Sequence, residues 1–170
     1  MKTPPKIRPA AEADLPAILS IYNDAVENTT AIWNEKPADL ANRKAWFAER
    51  TGKGFPVLVA ERDGVIGQDV IGYGSFGDFR PFEGYRVTVE HSVYVSKEAR
   101  GQGAGEALLQ ALIDEAGRMK KHNMIGGIDA SNAPSLALHV KFGFEEVGRM
   151  PGVGTKFGKP LDLVLMQKVL

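Results

Sequence analysis

Residues 88–113 read TVEHSVYVSKEARGQGAGEALLQALI, and the order of events in this stretch decides the fold. Thr88 to Val95 alternates with the period of a strand. A charged turn follows, and then Gly101, Gly103 and Gly105 stand where a helix should begin. Glycine in a helical first turn costs about 0.5–1 kcal/mol relative to alanine. Three of them point to a demand other than helix stability.

Three readings compete. The first is a strand-to-helix turn that uses glycine for awkward dihedrals. The second is a dinucleotide fingerprint, which Gly101 and Gly103 begin; but Glu106 occupies the place of its third glycine, and too few residues follow for most domains of that kind. A triphosphate loop also fails, because no Gly-Lys-Ser/Thr follows. The third is a pyrophosphate cradle of another type, in which RGQGAG, residues 100–105, fits Arg/Gln-x-x-Gly-x-Gly/Ala. Bare backbone N–H groups can then approach phosphates at a helix N-terminus, where the dipole favours anions.

Working outward, 170 residues with 44% hydrophobic and 25% charged composition suggest one domain over 1–170 with a real core. Lys+Arg and Asp+Glu balance at 21 each, so no overall field favours nucleic acid. Cysteine is absent, which excludes disulfides, thiolate nucleophiles and Cys-based zinc sites. His91, His122 and His139 are too scattered for a metal spacing, and no metal is expected. The N-terminal MKTPPKIRPA has no apolar signal core, and no apolar run is long enough to cross a bilayer. The expectation is a cytoplasmic protein without a membrane partner.

Along the chain, KIRPA reads as a short strand. Leu15, Ile18, Leu19, Tyr22 and Val26 recur at helical spacing behind an N-cap region at Asp14. A second helix is expected near Leu40 to Arg50. PVLVAERDG and DVIGYGSFGDF read as strands joined through a turn at Asp63-Gly64. EGYRVTVEHSVYV, residues 83–95, is the longest strand candidate. A helix over about 103–121, a strand MIGGIDA, a helix over about 133–142, a strand near FEEVGRM, a glycine-rich loop and a last strand LDLVLMQKV complete the pass. The class is α/β: a mixed sheet of about seven strands flanked by about four helices.

The loop RGQGAG, its place after a strand, and IDASNAPSLALHVKFGF (128–144) together resemble the GNAT family of N-acetyltransferases. RPAAEADLPAILSIYNDAV, GYGSFGDFRP, TVEHSVYV, GRMPGVGTKFG and LDLVLMQ resemble the phosphinothricin and methionine-sulfoximine acetyltransferase subgroup. That resemblance implies the GNAT fold, acetyl-CoA as cosubstrate, acetyl transfer to the α-amino group of a small amino acid, and a homodimer. It implies cofactor contacts at Val93, Tyr94 and Val95, at Arg100, Gly101, Gln102, Gly103, Ala104, Gly105 and Glu106, and at Asn132, Ser135 and Lys141. His139 stands where the family often has a Tyr general acid; a proton donor and a packed helix residue are both open readings. The other acceptors are a protein N-terminus or a polyamine, and the other class is a non-catalytic acyl-CoA sensor.

The chemistry itself asks for a base, because a free amino acid is an ammonium ion at neutral pH. Glu90 is a carboxylate inside an apolar strand, where burial is costly unless it is paired or used. A surface-facing Glu is the alternative. A substrate carboxylate asks for a cation, and Arg80 in FGDFRPFEG offers a bidentate fork, against the reading of a solvated loop arginine. Arg86 and Lys156 are weaker candidates. Phe79, Phe82 and Trp33 could wall a side-chain pocket, and His91 is placed with them, as a structural residue or as a support to the substrate site.

Overall fold

The computed structural model describes residues 4–62 and 69–170; the turn expected at Asp63-Gly64 lies outside them. Seven strands form one sheet: β1 Lys6–Pro9, β2 Val57–Glu61, β3 Val70–Asp78, β4 Thr88–Val95, β5 Asn123–Asp129, β6 Glu145–Lys156 and β7 Lys159–Val169. Four helices accompany them: α1 Leu15–Asn28, α2 Leu40–Gly52, α3 Ala104–Arg118 and α4 Ala133–Lys141. The strand order is β1-β2-β3-β4-β5-β7-β6. Every pairing is antiparallel except β4 with β5.

Each face of the sheet buries the apolar stripe of its helices. On one side Leu108, Leu109, Leu112 and Ala116 of α3 pack with Phe76, Val89 and Met124. On the other, Leu15, Ile18 and Ile21 of α1 meet Val57, Val59 and Tyr73. Asp14 takes the N-cap position of α1 without capping it. Its carboxylate instead accepts a two-point fork from Arg8 at 2.7 and 2.9 Å, and Arg8 also reaches Glu61. Three buried or part-buried charges thereby satisfy one another.

The parallel ladder is short. Thr88, Val89 and Glu90 pair with Asn123, Met124 and Ile125, and beyond Glu90 the two strands part. Two imidazoles pack over Gly126 at the point where the ladder ends: a Cβ there would lie 3.1 Å from His91 Nε2 and 3.2 Å from His139 Nε2.

Two expectations are corrected. The strand expected over 83–95 begins only at Thr88, because Glu83–Tyr85 forms a 3₁₀ turn; it is shorter than β3, β6 and β7. The glycine-rich segment 151–158, expected as a loop, is the continuation of β6 to Lys156, closed by a turn at Phe157 and Gly158. Pro151 is tolerated because β6 is an edge strand, and register shifts near Glu146 and between Met150 and Gly154 absorb the irregularity. Helix ends also move inward. Gly103, at φ 86°, caps α3 in a left-handed conformation, and Gly143, at φ 80°, follows the end of α4.

Candidate active site

Where β4 and β5 separate, a cleft of about 1140 Å³ opens. From His91 onward the β5-facing edge of β4 makes no ladder, so its backbone groups are available to a guest. Val93, Tyr94 and Val95 line the cleft. Tyr94 is buried enough that its phenol is pushed up to about 12, so it stays neutral.

The glycine loop closes one end. Gly101 and Gly103 have φ of 70° and 86°, a region that favours glycine. Nothing lies within 4 Å of a Cβ built on either, so both positions face open space beside the first turn of α3. The free N–H groups of that turn and the absent side chains fit a pyrophosphate. Arg100, Gly105 and Glu106 also line the cleft. Arg100 holds Asp24 of α1 at 3.3 Å, and Glu106 holds Lys141 at 2.7 Å.

Not every expected cofactor residue reaches this space. Ala104 is buried in the core under the loop. Gln102 donates to the Glu98 carbonyl and accepts from Arg62, and so braces the loop. Lys141 lies outside the lining and is tied to Glu106. Asn132 and Ser135 do line the cleft, and Asn132 Oδ1 accepts from the Ser135 N–H at 3.2 Å, capping α4.

Glu90 stands at the last register pair before the strands part, half-buried in the cleft wall. Burial raises its pKa, and the nearby charges of Arg80 and Arg50 pull it down. Burial dominates, so the carboxylate is a stronger base than a solvated glutamate, the direction a proton acceptor needs.

The two imidazoles form a defined chain. His139 Nδ1 lies 2.7 Å from the Ser135 carbonyl, so it carries the hydrogen and donates. Its Nε2 must then accept from His91 Nε2, 3.0 Å away, and His91 Nδ1 is left buried and without a partner among the described residues. Burial and the neighbouring imidazole lower His91 to about 3, and burial lowers His139 as well. The expectation of His139 as proton donor does not fit this geometry. Its one hydrogen is already given to a carbonyl.

The expected substrate residues fall at the rim or away from it. Arg80 is exposed, stacks on Phe79 at 4.3 Å and donates to the Phe79 carbonyl. Phe82 is 72% exposed and walls nothing. Trp33 donates to the Thr30 carbonyl and covers Gly154 of β6. Lys156 is corrected outright: its ammonium is buried among the carbonyls of Ala25, Thr29 and Ile32, out of reach of any substrate. Arg86 is exposed and donates to the Glu83 carbonyl.

Sequence reading missed Arg50, Asp78 and the turn 29–31, all in the lining. That turn is fixed by Thr30, which donates to Asp129. The one available signal was Gly77, whose missing side chain makes room for Arg50.

Known proteins resemble this chain over nearly its whole length. The model of the acetyltransferase (GNAT) family matches residues 18–144. The L-methionine sulfoximine/L-methionine sulfone acetyltransferase of Pseudomonas aeruginosa is 58% identical over 95% of this chain and 92% of its own length. A crystal structure of a ribosomal-protein-alanine N-acetyltransferase from Brucella melitensis superposes with a TM-score of 0.93 at 59% identity, covering 97% of this chain and 99% of that one. A phosphinothricin acetyltransferase from Sinorhizobium meliloti, crystallised with acetyl-CoA, gives 0.94 at 38% identity over 99% and 89% of the two chains.

Proposed function

The chain belongs to the acetyltransferase (GNAT) family and is an acetyl-CoA-dependent N-acetyltransferase; we propose that its acceptors are small L-amino acids such as methionine sulfoximine, methionine sulfone and phosphinothricin. The observation that carries this reading is Glu90, an ionisable group half-buried where the sheet opens. A base at that point matches an acceptor that arrives as an ammonium ion.

Acetyl-CoA supplies the acetyl group as a thioester when bound. The glycine loop and the first turn of α3 would hold its pyrophosphate, and the unpaired edge of β4 at Val93 to Val95 its pantetheine arm. Glu90 removes the ammonium proton, directly or through water, and so frees the nitrogen lone pair. Backbone N–H groups at the open edge of β4 offer the donors that a developing oxyanion needs. The leaving sulfur takes its proton from water, and His139 acts as a positioning residue that holds His91. Arg80 supplies positive charge at the rim for the substrate carboxylate.

A homodimer is part of the same reading. Val147, Met150 and Val153 of edge strand β6 and Phe157 in the turn after it are exposed, apolar surface that a second copy would cover. No helix among the described residues is long and apolar enough to cross a membrane, and we place the enzyme in the cytoplasm.

The name of the Brucella structure favours a second acceptor, a protein N-terminal alanine. Thiol release from acetyl-CoA separates the two. Methionine sulfone and phosphinothricin should turn over well above a peptide with N-terminal alanine. Turnover of the peptide alone would overturn the proposal.

A further inference from the structure

We propose that Arg50 of α2 anchors the acceptor's α-carboxylate from the cleft wall, next to the amine that Glu90 deprotonates. The assignment rests on the amino-acid acceptor proposed above.

The geometry begins at Gly77. Gly77 and Glu90 are direct partners in the β3–β4 register, so their side-chain positions lie on one face, roughly 5 Å apart. Gly77 has no side chain, and the Arg50 guanidinium occupies that place. A Cβ built on Gly77 would overlap Nη1 and lie 2.6 Å from Cζ. The strand therefore seats a cation beside the base.

That cation is half-buried and lines the cleft. Its guanidinium has no hydrogen-bond or ion-pair partner among the described residues. A fork of five donors held near a protein wall without an acceptor invites an external oxyanion. Arg50 and Glu90 feel each other's charge yet form no ion pair, which leaves room between them. An α-amino acid carries its ammonium and carboxylate roughly 3 Å apart, set by standard bond lengths. It can bridge the two groups with matching signs.

Arg80 is placed differently. Its guanidinium is exposed and stacked on Phe79 at 4.3 Å, and it is absent from the cleft lining. Arg80 draws the carboxylate in from the rim; Arg50 fixes it. A polyamine presents no carboxylate and would bring a second cation against Arg50, so the same residue selects amino acids over polyamines.

Two variants test this with methionine sulfone and its carboxamide as paired acceptors. Arg50→Met removes the fork. Gly77→Ala keeps the charge but drives the guanidinium off its seat, and the collision is with the flexible end of a side chain. Both should raise KM for the acid roughly 10–100-fold, the range of a lost charge-assisted hydrogen bond. The carboxamide should change far less. Any effect of the variants on Glu90 itself acts on both acceptors and cancels in the ratio. Gly77→Ala should melt close to the parent, which covers the case of Arg50→Met folding poorly. Equal losses on acid and carboxamide, or no loss on either, would overturn the assignment while leaving the amino-acid reading intact. A parent enzyme inactive on the sulfone would overturn both.

Discussion

The Nε2 atoms of His91 and His139 lie 3.0 Å apart over Gly126, and the single His91 N–H donates across that contact. Protonating His139 would put a second N–H into it, and protonating His91 would place the new N–H on its buried Nδ1, which has no partner among the described residues. The consequence for stability has a definite sign. His91 is lowered from 6.5 to about 3, so the unfolded chain binds the proton first. Folding stability is therefore intact above pH 6.5 and is lost as pH falls toward 3, by about 1.4 kcal/mol per pH unit for one proton. Urea unfolding across that range should show this slope, and His91→Phe should flatten it. A parent whose stability is level from pH 6.5 to 4 would refute the neutral-pair assignment.

Gly103→Glu should abolish acetyl-CoA binding. Gly103 caps α3 at φ 86° with open space around its missing Cβ, so the new side chain enters the anion site with its charge. Left-handed strain of about 1–2 kcal/mol accompanies it, which far-UV dichroism should show the fold survives. Calorimetric binding equal to the parent would remove the loop from the cofactor site.

Arg80→Ala should raise KM for methionine sulfone more than for its carboxamide. It should also move the acid limb of kcat/KM to higher pH. Arg80 is the leading charge holding Glu90 down against burial, so its loss leaves more of the base protonated at a given pH. An unmoved limb would separate Arg80 from Glu90.

Lys156→Met should lower the thermal midpoint markedly. The ammonium donates to three carbonyls around the end of α1, and burial depresses its pKa. Leaving those acceptors dry costs about 2–4 kcal/mol, or about 4 °C or more for a chain of this size. A midpoint within about 1 °C of the parent would contradict this.

The parts of the fold that sequence could show are those with a local period. α1, α3 and the alternation of β4 follow from apolar spacing, and the glycine loop from residue type alone. β6 was not legible past Met150, because its glycines and Pro151 read as a turn and only pairing with β7 makes them a strand. Lys156 looked like a free cation for the same reason; its carbonyl partners are more than 120 residues away in sequence. Arg50 sits on the polar part of α2, where nothing local distinguishes it from a solvated arginine. Phe82 and Trp33 show the converse, aromatics whose position in the chain suggested a pocket that the packing does not build.

The central claim is that Glu90 is the general base, and the pH dependence of Glu90→Gln tests it most directly. The substitution keeps the shape at the last β4–β5 register pair and removes the proton acceptor. Steady-state turnover of methionine sulfone at neutral pH should fall about 10²–10⁴-fold, with acetyl-CoA affinity nearly unchanged. The deficit should shrink as pH rises and more of the amine is neutral on its own. A Gln variant that keeps near-parental rate across the pH range would contradict the account and leave water alone to deliver the proton.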